Sequence, residues 1–380
     1  MSIERDILII GGGPAGLSTA LHLARDFPAL ATRILILEKA RYPRFKLCAG
    51  GLVLDAEVIL QRLGLDVSEV PHVDVDNIRF DFQAKGLKLN VPKGHALRVV
   101  RRDEFDGWLA GKARDKGIEV REGVAVRSII PHQEDVTVET EGETYRAQIV
   151  VGADGSNGVT RRCIFADAPV HTARVLEILT PSLSEERRKR AFFDFFPVPN
   201  NIAGYVWDFP TQIKGEAMRC WGIYDTNILA SEKRPPLKEP LAREMSRIGF
   251  NLHDYEIKGH PIRWFAPENQ MSMRRVLLVG DAAGADPLFG EGISIALGYG
   301  ALAAREIGEA FQTNDFSFHN FRRRILISAL GRTLMARWFI AQVVYSLKWK
   351  WFQILLWWIM KPFVGLAGWL FVLNWGKRLR

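Results

Sequence analysis

The sequence predicts an α/β fold in which a doubly wound parallel sheet carries an inserted antiparallel sheet and a helical C-terminal segment. The apolar run from Ile7 to Ile10 ends in closely spaced glycines and precedes an Ala- and Leu-rich helical pattern, as expected of a central parallel strand. Residues 204–210 alternate with a period of two, which is typical of a strand with one buried face. Residues 321–380 are rich in Trp and contain no acid.

The composition is that of a folded protein. The chain has 380 residues, of which 48% are hydrophobic and 25% charged, enough for two domains with a sizeable core. Its three cysteines, Cys48, Cys163 and Cys220, are far apart and form no CxxC pair. This spacing argues against a disulfide framework, a metal site or an iron–sulfur cluster. The N-terminal apolar run becomes glycine-rich after Ile10, so we interpret it as a buried strand and not as a signal peptide.

A glycine-rich turn follows the first strand with the spacing G-x-G-x-x-G. Gly11 permits the tight turn, Gly13 lets a pyrophosphate approach the backbone, and Gly16 allows close helix–strand packing. Pro14 and Ala15 begin the helix, whose N-terminus offers unpaired N–H groups to phosphates. The turn therefore predicts a phosphate-binding site.

The second strand, residues 33–38, ends at Glu38, 22 residues beyond Gly16. An acid in this place hydrogen-bonds the ribose hydroxyls of an adenosine, and Lys39 follows it directly. Strand, glycines, helix, strand and acid in this order predict a Rossmann-type dinucleotide site. The alternative is a glycine-rich turn that only packs.

Two further stretches favour FAD over NAD. One is the strand within residues 149–162, and the other is the strand–turn–helix pattern of residues 275–304. Asp281 stands at a strand end, where it can accept hydrogen bonds from polyol hydroxyls, and the helix that follows can stabilise a negatively charged reduced flavin. The cofactor-binding residues predicted in these stretches are Asp154, Gly155, Gly280, Asp281, Pro287, Gly290, Gly292 and Ile293.

These three segments together resemble the flavoprotein superfamily typified by para-hydroxybenzoate hydroxylase. The stretch from Arg102 to Asp106 is also similar to that superfamily's Arg-x-x-Phe-Asp segment, which implies that Arg102 contacts the cofactor. The resemblance covers most of residues 1–310 and implies an FAD-binding domain. The chain departs from the pattern at Gly158, where the superfamily usually has a serine.

Residues 41–52 resemble the Lys-x-Cys-x-Gly-Gly stretch of the geranylgeranyl reductase family. The resemblance implies that the loop with Cys48, Ala49 and Gly50 lies beside the isoalloxazine ring and that Cys48 lines the active site. From the residues alone, Cys48 could equally be a small buried hydrophobe.

The alternating stretch at 204–210 is similar to the same family's P-x-x-Y-x-W-x-F-P signature, with Ile202 in place of the first proline. Residues 191–199 and 218–225 also read as aromatic strands. We therefore expect one sheet face to carry Tyr205, Trp207 and Phe209, with Trp221 a candidate for the same face. The alternatives are an ordinary aromatic core and the wall of an apolar pocket, and the resemblance favours the pocket.

The resemblance implies an FAD-dependent reductase of isoprenoid C=C bonds in a membrane lipid, with hydride delivered from flavin N5. The catalytic candidates are Trp207, as a pocket wall, and Cys48, Tyr205 and Glu291, as proton donors. Alternatives in the superfamily are an FAD-dependent monooxygenase or halogenase, a quinone-reducing dehydrogenase and a lycopene-cyclase-like flavoprotein without net redox chemistry. A further alternative is a lipid carrier that retains the nucleotide fold.

The C-terminal segment carries the excess positive charge. After Asp315 the chain has no acid but eleven Lys and Arg and seven of its eleven Trp. Trp and Lys beside apolar runs are typical of a membrane interface and do not suit nucleic acid. Lys361-Pro362 divides the apolar run, which favours peripheral or monotopic attachment on the cytoplasmic side of a membrane over a spanning helix. The alternative is a helical pair that caps the core.

The predicted domains are discontinuous in sequence. The FAD-binding domain takes residues 1–75, 97–165 and 262–320, the substrate sheet domain takes 76–96 and 166–261, and the tail takes 321–380. A charged helix is expected near 184–190. Because a second G-x-G-x-x-G is missing, the expected electron donor is transiently bound NADPH, a ferredoxin or a quinol.

Overall fold

A computed structural model describes residues 2–91, 93–182, 189–228 and 234–379. The chain folds into three β-sheets with helices packed around them. The charged helix predicted near 184–190 falls largely outside the described residues.

The strands, in chain order, are Ser2–Ile10 (β1), Ile34–Glu38 (β2), Gly51–Val53 (β3), His72–Val75 (β4), Asn77–Phe82 (β5), Lys85–Asn90 (β6), Leu97–Val100 (β7), Glu119–Glu122 (β8), Val126–Pro131 (β9), Val136–Thr140 (β10), Thr144–Gly152 (β11), Thr172–Pro181 (β12), Arg190–Asp194 (β13), Gly204–Ile213 (β14), Glu216–Asp225 (β15), Lys258–Arg263 (β16), Ser272–Met273 (β17) and Val276–Leu278 (β18).

The α-helices are Pro14–Asp26 (α1), Leu54–Arg62 (α2), Arg102–Asp115 (α3), Val159–Ile164 (α4), Lys238–Ser246 (α5), Ile293–Thr313 (α6), Phe321–Ile327 (α7), Ala329–Ser346 (α8), Lys350–Ile354 (α9) and Lys361–Ala367 (α10). Helices α9 and α10 continue into the π-helical turns Leu355–Ile359 and Gly368–Val372.

The eight-stranded sheet has a parallel centre in the order β18-β11-β1-β2-β8. Ile7 to Ile10 are buried, in keeping with the continuous apolar run of a strand covered on both faces. Helices α1 and α6 pack against each other beside this sheet. The carboxyl ends of β1, β2, β11 and β18 therefore meet at one edge, where the predicted nucleotide-binding turns begin.

The seven-stranded sheet has the order β16-β12-β15-β14-β13-β5-β6. Its strands come from residues 77–90 and 172–263. Every pair is antiparallel except β5 and β13, which differs from the fully antiparallel sheet predicted. Because β5 and β13 are separated by more than a hundred residues that include four strands of the eight-stranded sheet, no hairpin imposes an antiparallel direction on them.

One row of side chains crosses all seven strands. Neighbours in the row face each other directly, in the order Leu87, Phe80, Phe193, Trp207, Gly222, Glu177 and Lys258. Opposite residues share a face of the sheet. A Cβ on Gly222 would lie 2.0 Å from the Trp207 ring, so the glycine makes room for the indole to lie across β15.

Trp221 lies on the other face of this sheet, so the prediction that it lies beside Trp207 is wrong. It pairs with Asp208, the neighbour of Trp207, and donates a hydrogen bond to Thr180 Oγ1 at 3.0 Å. Tyr224 takes the expected place, because it faces Tyr205 directly. Side chains alternate between the two faces of a strand, so a difference of one residue in position places a side chain on the opposite face.

The C-terminal segment (residues 321–379) is helical and returns to the body of the protein. Among the described residues no single helix has the length and apolarity to cross a membrane, whereas Lys350–Ile359 and Lys361–Arg378 meet those two criteria only together and are bent by 76°. The bend lies at Met360, directly before the Lys361-Pro362 pair at which the sequence predicts a break.

Each helical piece of this bent pair is held by the body of the protein. Trp358 Nε1 donates to the Phe82 carbonyl at 2.9 Å, and Trp375 is fully buried against Gly298 of α6. The Asp55 carboxylate accepts hydrogen bonds from the backbone N–H groups of Asn374 and Gly376 at 3.1 and 2.7 Å. The C-terminal segment therefore packs into the body of the protein and also forms part of its surface.

Candidate active site

A cavity of about 1400 Å³ runs from the carboxyl edge of the eight-stranded sheet to the aromatic face of the seven-stranded sheet. It exceeds the roughly 300–1,000 Å³ of a pocket for one drug-sized ligand. One end is lined by the glycine-rich turns and charged side chains, and the other by aromatic and aliphatic side chains. The cavity can therefore hold a large polar cofactor and an apolar substrate together.

The polar end begins at the turn between β1 and α1. Gly11 has φ +105°, and a Cβ there would lie 2.4 Å from the Ala153 carbonyl oxygen. A Cβ on Gly13 would approach only Arg44, at 3.6 Å from Nη2, and would otherwise point into open space. Helix α1 has no side-chain cap at Gly13. Its first N–H groups are thus free to bind an anion that approaches the bare backbone.

Carboxylates line this end of the cavity at the ends of β2, β11 and β18. Glu38 accepts hydrogen bonds from the N–H groups of Gly12 and Ala40 at 2.8 and 3.0 Å. Asp281 is in contact with Ser156, whose hydroxyl lies 3.3 Å from Oδ2. Burial raises the pKa of Asp154.

Cations are held beside the carboxylates by specific partners. Arg102 makes two hydrogen bonds of 2.8 Å to Asp106, and Arg44 Nη2 lies 3.0 Å from the same carboxylate. Lys46 Nζ lies 2.6 Å from His260 Nε2. Burial lowers the pKa of Lys46 and lowers that of His260 to about 4. His260 is therefore neutral at pH 7 and can accept the hydrogen bond from the ammonium group.

These residues fit FAD. The uncapped helix and the exposed backbone at Gly13 suit a pyrophosphate, Glu38 suits a ribose, and Asp281 suits a polyol chain. The N-terminus of α6, which has no side-chain cap at Gly292, faces the same cavity and can stabilise negative charge on a flavin ring.

Most of the predicted cofactor residues line this one cavity. They are Gly11, Gly13, Pro14, Ala15, Glu38, Lys39, Cys48, Ala49, Gly50, Arg102, Asp154, Gly155, Asp281, Gly290, Gly292 and Ile293. The other three predicted residues, Gly16, Gly280 and Pro287, lie outside its lining. Gly16 and Gly280 lack room for a Cβ beside the Gly11 carbonyl and the Ala15 side chain, and the Pro287 carbonyl accepts from Tyr224 at 3.2 Å. Their roles as cofactor ligands remain predictions, and their positions are those of packing residues.

The proton-donor candidates all line the cavity but differ in their surroundings. Burial raises the pKa of the Cys48 thiol, which keeps the thiol protonated at neutral pH. The Tyr205 hydroxyl donates to the Phe289 carbonyl, and burial raises its pKa well above the ordinary value. Glu291 Oε2 lies 2.7 Å from Arg337, and its Oε1 accepts from Ser294.

The apolar end is formed by stacked rings. Phe193 stacks on Phe80 with centroids 4.8 Å apart, and Phe195 stacks on Trp357 at 4.2 Å. Tyr205, Trp207 and Phe209 line this end, as predicted for a pocket wall. The C-terminal segment closes it with a set of apolar residues, namely Ile340, Val344, Leu356, Trp357, Val364, Gly365, Ala367, Gly368, Trp369, Val372 and Leu373.

Several cavity residues were not predicted from the sequence: Arg44, Phe80, Glu177, Tyr224, His260 and Arg337. Glu177 had a readable signal, because it is an acid that alternates with apolar residues along a buried strand. Tyr224 follows from the register of β14 and β15. Arg337 gives no local signal, because its partners Asp286 and Glu291 are about fifty residues away.

Comparisons with known proteins agree with this site. Residues 4–311 match the FAD binding domain family. The chain is 28% identical over 349 residues to digeranylgeranylglycerophospholipid reductase 2 of Methanopyrus kandleri. The aligned region covers 84% of this chain and 81% of that protein.

Two solved structures have the same fold. A geranylgeranyl bacteriochlorophyll reductase-like protein of Thermoplasma acidophilum superposes with a TM-score of 0.77 at 22% identity, over 98% of this chain and 93% of that one. Halogenase PltM superposes with a TM-score of 0.73 at 18% identity, over 96% and 80%.

Fold and site together define an FAD-dependent oxidoreductase. The chain belongs to the FAD binding domain family, and its relatives include proteins named digeranylgeranylglycerophospholipid reductase.

Proposed function

We propose that this oxidoreductase saturates C=C bonds in the isoprenoid chains of a membrane lipid. The observation that carries the proposal is the continuity of the cavity, which joins an FAD-type polar end to a long apolar slot. Bound FAD, once reduced, supplies a hydride to the substrate. The names of the relatives, which include digeranylgeranylglycerophospholipid reductases of several archaea, support the same chemistry.

The apolar slot suits a polyprenyl chain in length and in chemistry. The row from Leu87 to Glu177 spans five strand intervals, or about 24 Å at the usual spacing of neighbouring strands. An isoprenoid offers only apolar area, which gains about 25 cal/mol for each Å² removed from water. Rigid aromatic walls supply such area with little loss of side-chain entropy.

In this reaction the protein positions the substrate and excludes water from the site. The rings of Phe80, Phe193 and Trp207 hold the isoprenoid chain of the substrate in one plane along the sheet. The C-terminal segment covers the opposite side of the slot. An unactivated alkene needs to be held against the hydride donor with water excluded. Cys48, on the loop between the two ends of the cavity, remains a candidate contact to the reacting atoms.

We propose a membrane surface as the second partner. Of the sixteen large apolar side chains exposed among the described residues, nine lie between Trp349 and Phe371. Lys348, Lys350 and Lys361 lie along the same stretch. Aromatic rings and cations of this kind favour the headgroup region of a leaflet with anionic lipid. Since the bent pair also walls the apolar slot, attachment on the cytoplasmic side would let a lipid chain enter from the bilayer.

The proposal is tested with the purified FAD-loaded protein, reduced by dithionite without oxygen, and a digeranylgeranyl glycerophospholipid in micelles. Mass spectrometry is expected to show the addition of two hydrogen atoms for each bond saturated. Unchanged lipid with a fully reduced flavin would contradict the proposal. NADPH, a reduced ferredoxin and a quinol are then compared as physiological donors.

The second candidate is a flavin-dependent monooxygenase or halogenase, favoured by the fold shared with halogenase PltM. The stretch at 204–210 matches a halogenase-type Trp-x-Trp-x-Ile-Pro motif only loosely, because both outer positions differ. Oxygen consumption coupled to a hydroxylated or, with halide, a halogenated product would favour this candidate over the reductase.

A further inference from the structure

Glu177 is an acid placed within the aromatic wall of the cavity. In the row across the sheet it follows Trp207 and Gly222, and the missing side chain of Gly222 lets the Trp207 indole lie toward it. Glu177 is only 4% exposed and lines the cavity together with Val175, two residues earlier on β12. Its carboxyl group thus lies where the apolar slot meets the loop that holds Cys48.

The carboxyl group has an unused polar atom. Glu177 Oε2 is buried and makes no hydrogen bond within the described part of the chain. A buried carboxylate without compensating partners is costly, so such a group takes up a proton instead. Burial raises the pKa of Glu177 to about 7, against the opposing influence of Arg101, the Cys220 thiol, Lys258 and the backbone N–H of Cys48.

We propose that Glu177 is the general acid of this active site and protonates the substrate alkene. The proposal rests on the proposed reductase function. In the step, one alkene carbon takes a hydride with its electron pair from reduced FAD, which is oxidised. The other carbon takes the proton of Glu177, so that the π bond is replaced by two C–H bonds. The carboxylate left on Glu177 then regains a proton from water.

The surroundings of the other candidates favour Glu177. The Tyr205 hydroxyl is committed to the Phe289 carbonyl, and its raised pKa makes it a weak acid. Glu291 is held in an ion pair with Arg337. Cys48 is next to Glu177, but burial raises the pKa of its thiol as well. Glu177 combines a place in the wall with an acidity that suits general acid catalysis near neutral pH.

The pH dependence follows from the groups that face Glu177. These are Arg101 at the start of α3, Cys220 on β15, Lys258 on β16 and Cys48 on its loop. Burial raises the pKa of both thiols, which therefore remain neutral across pH 5 to 8. Lipid saturation under excess reductant is therefore expected to fall as pH rises through about 7, because the protonated acid is lost.

The test compares the wild type with Glu177→Gln, which keeps the shape and removes the acidic proton. Glu216→Gln, an exposed acid of the same sheet, is the matched control. General acid catalysis contributes about 10²–10⁴-fold, so E177Q is expected to lose at least a hundredfold in lipid saturation while it still binds FAD and is reduced by dithionite. A rate within threefold of wild type would overturn the assignment.

Infrared difference spectroscopy provides a second readout that needs no turnover. The oxidised wild-type protein is expected to show a protonated carboxyl band that disappears as pH rises through about 7 and is missing from E177Q. If E177Q does not fold, the wild type is compared with Asp81→Asn, because Asp81 also has a raised pKa. A band that titrates near pH 7 and persists in D81N supports the proposal, and its absence overturns it. A wild-type protein that saturates no lipid would contradict the proposed function and, with it, the role of Glu177. An active E177Q would contradict the role of Glu177 alone.

Discussion

Arg337 of the C-terminal segment lies 2.7 Å from Glu291, in the turn just before the helix that faces the cofactor end of the cavity. The same Nη1 atom lies 2.9 Å from Asp286, and Nη2 donates to the Val372 carbonyl at 2.8 Å. One buried guanidinium therefore joins the predicted flavin-binding turn to the wall of the apolar slot. The segment that the sequence presents as a surface anchor is also part of the active-site structure.

Replacing Arg337 is expected to destabilise the protein strongly. Arg337→Met leaves Asp286 and Glu291 without their cation, and breaking a buried ion pair in this way costs about 3–5 kcal/mol. Urea unfolding of the mutant would measure the loss in the free energy of unfolding. Arg323→Met, at an exposed position of α7, is the control and is expected to change stability by less than about 0.5 kcal/mol. Equal effects of the two mutations would contradict the proposed linkage.

Gly13→Ala is expected to weaken FAD binding without disturbing the fold. The new Cβ would meet only Arg44, at 3.6 Å, so the protein has room for it, but the pyrophosphate would lose its close approach to the backbone. We expect at least a tenfold rise in the FAD dissociation constant, measured by flavin fluorescence, with an unchanged circular dichroism spectrum. Gly111→Ala, at an open position of α3, should bind FAD normally. Normal FAD affinity in the Gly13 mutant would place the cofactor elsewhere.

Three exposed residues of the bent pair test attachment to membranes. Ile359, Phe363 and Phe371 lie outside the cavity lining and are 67%, 67% and 54% exposed. Each large apolar side chain contributes about 1.5–3 kcal/mol when fully buried, so the triple serine mutant should bind anionic vesicles at least tenfold more weakly in a flotation assay. Serine at Ile130 and Val170, which are exposed elsewhere, should leave binding unchanged. Equal binding by all variants would rule out this surface as the anchor.

Glu177 should make the apoprotein less stable as pH rises. Its folded pKa of about 7 lies above its ordinary value of 4.5, so its stabilising contribution is complete below about pH 4.5 and is lost as pH rises through about 7. The loss is of the order of 3 kcal/mol. Urea unfolding between pH 5 and 8 should therefore show a steeper decline for the wild type than for E177Q. Parallel curves would mean that Glu177 is already ionised at pH 5.

A smaller decline should remain in E177Q, because burial also raises the pKa of Asp81, to about 6. Asp81 lies on β5, near the opposite edge of the seven-stranded sheet from β12, which carries Glu177. The mutant Asp81→Asn is the control that separates the two contributions.

The nucleotide-binding half of the fold could be read from the sequence because its signals are local. Gly11, Gly13 and Glu38 specify a turn and a strand end within forty residues, and the structure has these elements where they were expected. The alternation at 204–210 likewise predicted the strand Gly204–Ile213. In each case, backbone sterics and the pleat of a strand fix the structure over short distances.

The rest of the site depends on contacts between distant parts of the chain. The parallel pairing of β5 and β13 and the row that brings Trp207 to Glu177 arise only when the sheet is assembled. Trp221 shows how a single position of register moves a side chain to the other face. The tail was read as a surface anchor or a core cap, and Trp375 is fully buried whereas Trp369 is 59% exposed. Composition alone cannot separate residues that take these two roles in one segment.

Anaerobic mixing of the reduced holoenzyme with a digeranylgeranyl lipid shows whether reduced flavin and an isoprenoid chain share this cavity. The absorbance of oxidised flavin is expected to return when the lipid is added, with one flavin oxidised for each bond saturated. A flavin that stays reduced in the presence of the lipid, and is oxidised only when oxygen is admitted, would contradict this expectation.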